Sequence, residues 1–241
     1  MTLASLASIQ LARFDSLSKN EGLADGHSLP ALFCGVAADT RAAATEPSSQ
    51  QAFAFLILGL HADKESAHSL LAMRSQIAPW MGGARETYSA VLEPFRHKGE
   101  ANFLNRESPG IVFGNLAEPA AADAPLVVIT SVGWHVDASL DMKRVEKFGA
   151  GVAGVRIGMT AVDGLHSQQT FSFPGRLTID PVTVTFWRDD ASVRAFSYGP
   201  GGHRRQMDIL RAEDLADRTS FTRFRVLHSS GTWYGSDPQL L

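Results

Sequence analysis

One histidine stands where an imidazole could do chemistry. On a helix opening at His203, positions 203, 207, 210 and 214 share a face and carry His203, Met207, Leu210 and Asp214. The ring therefore heads an apolar stripe, while Arg204, Arg205, Asp208 and Arg211 fall largely on other faces. In the first turn the helix dipole disfavours the imidazolium. A neutral imidazole is the form that ligates a metal ion or haem iron. The preceding Gly199-Pro200-Gly201-Gly202 run has almost no side chains to keep a flat macrocycle from the backbone. The alternative is an imidazole that simply packs in the core, the commoner state of a lone histidine on an apolar face.

A haem held by one histidine leaves the opposite iron face open, and the protein then supplies an apolar slot and a few polar groups. Phe171, Phe173, Phe186, Trp187, Phe196, Met159 and Met207 suffice to line such a slot, and equally to build an ordinary core. Arg156, Arg223 and Arg225 read as strand-borne guanidinium groups able to pair a haem propionate or donate to bound oxygen. Arg223 and Arg225 alternate with Phe224 and Val226, so they share a face, which could also be a solvated one. Arg204 and Arg205, beside the histidine, are further propionate candidates.

Other chemistry finds no support. Gly149-Ala-Gly151-Val-Ala-Gly154 spells G-x-G-x-x-G, but the glycines are expected to follow a helix and precede a strand, the reverse of a dinucleotide fingerprint. They read as a helix stop and turn. No nucleophile elbow, Walker loop or zinc spacing occurs. Cys34 is alone, which excludes an internal disulfide framework. His61 and His68 lie two helical turns apart with a helix start between them. His97 and His228 follow strand ends, His135 ends a strand, and His166 sits in a loop.

The elements that must position these groups come in two matching series. Ala52–His61 reads as a buried strand, then a helix over Glu65–Met73 capped by Asp63, a break at Pro79–Gly83, a second helical piece, and a strand over Tyr88–Phe95. Pro181–Trp187 repeats the pattern as a strand, followed by a helix over Ala191–Tyr198, the Gly/Pro break, a helix over His203–Leu215 and a strand over Phe221–Leu227. Each series has an earlier part. In the first, the strand Leu6–Phe14 is followed by a weak helical stretch and the apolar piece Pro30–Ala37. In the second, a strand over Leu126–His135 precedes a helix over Asp137–Phe148 and a strand over Val155–Met159.

The chain thus reads as an α+β protein of two tandem ferredoxin-like β-α-β-β-α-β units, residues 1–104 and 126–241, joined by an irregular Ala/Pro-rich linker over 105–125. Two such units can pair their sheets into an eight-stranded barrel of the dimeric α/β kind, which removes exposed edges. The 241 residues are ample for a core, and 44% apolar with 20% charged residues is an ordinary globular composition. A net charge of −3 offers no field to gather nucleic acid or anionic lipid. The longest apolar run, Ala52–Leu60, is far short of a membrane span, and the N-terminus does not read as a secretory signal. A reducing cytoplasm is the expected compartment.

Several segments of the C-terminal half resemble the spheroidene monooxygenase family. They are Asp180-Pro-Val-Thr-Val-Thr-Phe-Trp187, Ala195-Phe196, Gly199-Pro-Gly-Gly-His203, Arg223-Phe-Arg-Val-Leu227 and Gly231-Thr-Trp233, with Arg156-Ile-Gly158 upstream. The match is strongest over Leu126–Gly235, whereas the N-terminal half is similar only in organisation. The resemblance implies haem b, oxygenation of a hydrophobic small molecule (a carotenoid in the family) and an external electron donor. More distantly, the doubled architecture looks like haem enzymes such as chlorite dismutase-like proteins and aldoxime dehydratases, in which a histidine on a C-terminal-half helix holds the iron. That role falls here on His203. Arg204, Arg205, Arg223, Phe196, Met207 and Trp187 would surround the cofactor, and Arg225, Arg156 and Gln169 would be the catalytic candidates. The chain departs from the family in Leu165–Thr178, which holds Gln168 and Gln169 and is longer. It departs again in Asp217-Arg-Thr-Ser-Phe-Thr-Arg223, which lacks the family's Trp-Phe-containing segment. A haem dehydratase acting on a C–N or N–N bond and a cofactor-free barrel protein are the other readings. Neither nucleic acid nor stable membrane insertion is expected, and a homodimer is an assembly this architecture commonly adopts.

Overall fold

The computed structural model describes residues 2–14, 32–38, 53–72, 82–100, 111–114, 116–135, 140–159, 161–171, 181–200 and 202–239. The first unit contributes β1 (Thr2–Ala4), β2 (Leu6–Phe14), β3 (Leu32–Ala38), β4 (Phe53–His61), α1 (Lys64–Ala72) and β5 (Glu86–Gly99), and β6 (Ile111–Phe113) follows it. The second contributes β7 (Leu126–Gly133), α2 (Met142–Met159), β8 (Leu165–Phe171), β9 (Val182–Trp187), α3 (Asp190–Tyr198), α4 (Gly202–Ala212) and β10 (Arg218–Gly231).

The main sheet runs β3-β4-β2-β5-β10-β7-β9-β8, antiparallel throughout. Read outward from its centre, each half has the same order: fourth strand, first, third, second. That is the ferredoxin-like order twice over, joined where the two fourth strands, β5 and β10, pair. The edge strands β3 and β8 come within 8 Å of one another (Cα to Cα), so the sheet curls toward a barrel. Side chains of both halves fill its inner face, among them Ile9, Leu56, Tyr88, Val127, Phe186 and Phe224. The helices cover the outer face. Pro94 cannot donate to a ladder, and the β5–β10 register slips where it faces Phe224.

Local chemistry explains the helix starts. Asp63 accepts from the Ser66 amide at 2.8 Å ahead of α1. Asp189 is extended (φ −159°, ψ 166°) and accepts from the Ser192 amide at 2.6 Å ahead of α3.

Four expectations are corrected. Val155–Met159 is not a strand, and Gly149–Gly154 is not a turn: both lie inside the 18-residue helix α2. Phe148, Val152, Val155 and Met159 recur at spacings of four, three and four, and they pack against neighbouring core residues. That apolar stripe outweighs the low helix propensity of glycine. The strand expected at Val155–Met159 is instead β8, in a segment read as a loop because its Ser, Gln and Thr hid the alternation. The second helical piece ahead of Tyr88 is not found in the described residues 84–87, since β5 already begins at Glu86. The linker contains β6, paired in parallel with β1. The weak helical stretch of the first unit and Phe173 lie outside the described residues.

Candidate functional site

The outer face of β10-β7-β9 forms a floor beneath α2, α3 and α4. Register fixes its rows: Arg223 lies beside Val128 and Val128 beside Thr185, while Arg225 lies beside Leu126 and Leu126 beside Trp187. Alternation therefore turns Arg223 and Arg225 toward the helices and Phe224 into the barrel. Leu126, Val128 and Trp187 of the floor pack with Val193 and Phe196 of α3 and with Val155 and Met159 of α2.

The chain turns between α3 and α4 because Gly199 closes α3, its amide donating to the Ala195 carbonyl at 2.9 Å. A Cβ on Gly199 would overlap that carbonyl. Gly202 then opens α4, which puts His203 in the first turn. The His203 ring is partly buried and lies 4.7 Å from the Phe196 ring, which lies 5.5 Å from Trp187. His203 Nδ1 approaches the Ser197 carbonyl at 3.4 Å, a long and weak hydrogen bond. A carbonyl only accepts, so the contact places the proton on Nδ1 and the lone pair on Nε2. Burial holds the imidazole below its ordinary titration value, with the Ser197 carbonyl pulling more weakly the other way. Met207 and Leu210 continue the stripe into a cluster with Trp134 and Phe148. Asp214 lies beyond the helix end with φ 49° and takes no part in that face.

Arg223 has no solvent exposure, and its Nη1 donates to Asp190 Oδ1 at 2.6 Å. Arg225 pairs with Glu93 at the margin and keeps 38% of its side chain exposed. Trp187 Nε1 donates to Thr185 Oγ1 at 2.7 Å, which removes the one polar atom of the indole from the apolar floor.

The other candidates are dispersed. Arg156 belongs to helix α2, not to a strand, and is half-buried. Arg204 and Arg205 are exposed on the outer side of α4, along a groove with Pro200, Asp208, Ile209 and Glu213. Gln169 is buried on the inner face of the sheet, where Tyr234 Oη donates to its Oε1 at 3.2 Å, so β8 separates it from His203. His166 is likewise tied to the Trp233 carbonyl at 3.0 Å. The sequence reading missed Asp190 and Glu93, the acids that hold the two strand arginines; Asp190 was legible only as part of a helix start.

Among the described residues, no group of three or more His, Cys, Asp or Glu is placed to hold a metal ion. The donor set does fit an iron held by one imidazole. Burial disfavours protonation of the ring, its Nδ1 faces a carbonyl as in many metal-ligating histidines, and the apolar Phe196 ring lies beside it. Phe196 stacks on that ring, and a macrocycle seated there would displace it.

No family model matches the chain. Two curated relatives are named spheroidene monooxygenase. One, from Cereibacter sphaeroides, is 25% identical over 185 residues, 76% of this chain and 52% of its own length. The other, from Rhodobacter capsulatus, is 27% identical over 165 residues, 66% of this chain and 61% of its own length. The match thus spans little more than half of those relatives. Two solved aldoxime dehydratase structures superpose with a TM-score of 0.58 at 12% identity. The first, in complex with butyraldoxime, is matched over 93% of this chain and 80% of its own. The second is matched over 98% and 83%. No described helix is long and apolar enough to cross a membrane. The chain is therefore similar in sequence to proteins named spheroidene monooxygenase, and its α+β fold is that of the dimeric α/β barrels to which aldoxime dehydratase belongs.

Proposed function

We propose that this protein is a haem-dependent, monooxygenase-like oxidoreductase acting on a hydrophobic small molecule, with His203 as the protein's ligand to the iron. The observation that carries this reading is a partly buried imidazole at the head of α4 whose burial disfavours protonation, with its Nδ1 facing the Ser197 carbonyl and the Phe196 ring beside it. The likeness to proteins named monooxygenase supports the reaction class. Haem, when bound, would supply the redox-active iron that oxygen chemistry requires, with His203 as the residue that would hold it.

The chain's own residues do the rest. The Ser197 carbonyl favours the tautomer with its proton on Nδ1, which would leave the Nε2 lone pair for the iron. The packed side chains of Leu126, Val128, Trp187 and Val193 keep water from the floor beneath α3. Electrons for oxygen activation would come from an external donor.

A second reading, a haem-dependent dehydratase acting on a C–N or N–N bond, draws on the superposition with aldoxime dehydratase. Oxygen uptake during turnover separates the two, since the dehydratase consumes none. The absorption spectrum of protein purified from haem-supplied cells tests both. A Soret band in the wild type, lost in His203→Ala with circular dichroism unchanged, is expected. No band in the wild type overturns the reading.

A further inference from the structure

Arg223 is a buried cation left half satisfied. Its Nη1 is used by Asp190, but Nε and Nη2 have no hydrogen-bond partner. Those two are the atoms whose N–H bonds lie parallel on one edge of a guanidinium, the fork that grips a carboxylate with two hydrogen bonds. Leaving such donors unpaired where solvent has no access is costly, and native structures rarely tolerate it without a use. The local charge points the same way. Asp190 is shared with Arg194 at 3.2 Å, and Arg96 stands in register with Arg223 across the β5–β10 ladder. One carboxylate therefore serves two guanidinium groups, and a third cation stands in the neighbouring strand. The walls are neutral: Val128 and Thr185 in the same row, and the Phe221 ring 5.3 Å from the guanidinium carbon.

The position relates this fork to His203. Asp190 opens α3, and Ser197, which holds the imidazole, lies seven residues on, about 10 Å along the axis. We propose that the Nε/Nη2 edge of Arg223 seats a carboxylate, or a similar planar oxyanion, of a ligand that displaces the α3 side chains packed on the floor between Arg223 and His203. Two sources share that chemistry. The carboxylate is either a propionate of the cofactor, which rests on the haem reading above, or a group on the substrate, which stands without it. In the second case the substrate is amphipathic: an apolar body on the floor and one anionic end on Arg223.

The test uses the full chain with two probe pairs, each an anion and its neutral counterpart. Benzoate is expected to raise the melting temperature of the haem-free wild type, benzamide to leave it unchanged, and Arg223→Gln to abolish the benzoate effect; that outcome assigns the seat to the substrate. Haemin binding at least tenfold tighter than haemin dimethyl ester, with the preference lost in Arg223→Gln, assigns it to the cofactor. Asp190→Asn removes the competing negative charge while keeping an acceptor for Nη1, and is expected to tighten binding of the same anion about tenfold, which keeps the test alive if Arg223→Gln does not fold. The proposal is overturned if neither anion is preferred over its neutral counterpart, or if the preference survives Arg223→Gln. It is also overturned if Asp190→Asn leaves the affinity unchanged. Failure of the haem reading looks different: haemin gives no Soret band, while the benzoate response persists.

Discussion

At the scale of single residues, burial decides what His203 can be. Removed from water beside Phe196, the imidazole resists protonation, so its folded value lies below the ordinary one near 6.5. Above that ordinary value both folded and unfolded chains carry it neutral, and it contributes no pH dependence. Below it the unfolded chain takes up a proton that the folded chain refuses, so stability falls as pH drops. His61 and His97 are depressed by burial as well and share the trend. The wild-type melting temperature is therefore expected to fall between about pH 7 and 5, and that of His203→Gln to fall less steeply. Parallel curves would show that His203 titrates as it does in the unfolded chain. The orientation of His203 was legible because a helical stripe is a local pattern. The burial of Arg223 was legible only in part: alternation gave its face, but Asp190 is 33 residues away in sequence and only the folded sheet brings it close. The same alternation separates Gln168 from Gln169. Gln168 reaches the Arg156 carbonyl at 3.5 Å beneath α2, and Gln169 turns into the barrel.

At the scale of elements, α2 shows how packing overrides propensity. Its glycines invite the reading of a turn, yet Phe148, Val152, Val155 and Met159 make a continuous apolar stripe. At Gly151 a Cβ would meet only the terminal amide of Gln206, a flexible side chain on α4, the helix that carries His203. Gly154 has open space around it. In a helix interior Gly154→Ala is expected to stabilise the protein by about 0.5–1 kcal/mol, read as a higher denaturation midpoint. Destabilisation instead would mean that the segment needs the freedom of a turn. The strand β8 was illegible for the opposite reason: its alternation runs through polar side chains, with Ser167, Gln169 and Phe171 all buried.

At the scale of the whole molecule, the doubled architecture is visible in two glycines. Gly99 (φ 85°) ends β5, and Gly231 (φ 91°) ends β10. A Cβ on the first would overlap the Thr219 carbonyl, and on the second the Thr87 carbonyl. The next residues close the same turn, the Glu100 amide donating to Thr219 and the Thr232 amide to Thr87, each at 3.0 Å. Equivalent places in the two repeats thus hold the central β5–β10 joint. Gly99→Ala and Gly231→Ala are each expected to cost about 2 kcal/mol or more in chemical denaturation, since they combine left-handed strain with a backbone overlap. A neutral result at either site would contradict the joint as described. The repeat itself was legible from element order, whereas the joint was not, because a ladder between strands more than 100 residues apart leaves no local signature.

The iron ligand is the point on which the functional reading turns, and exchange of that ligand addresses it most directly. The measurement is the haem absorption spectrum of His203→Gly, recorded with and without added free imidazole, beside that of the wild type. If His203 holds the iron, the wild-type Soret band is lost or shifted in His203→Gly and returns when imidazole fills the space left by the side chain. A spectrum identical to the wild type in His203→Gly, indifferent to imidazole, would place the iron elsewhere or on another ligand.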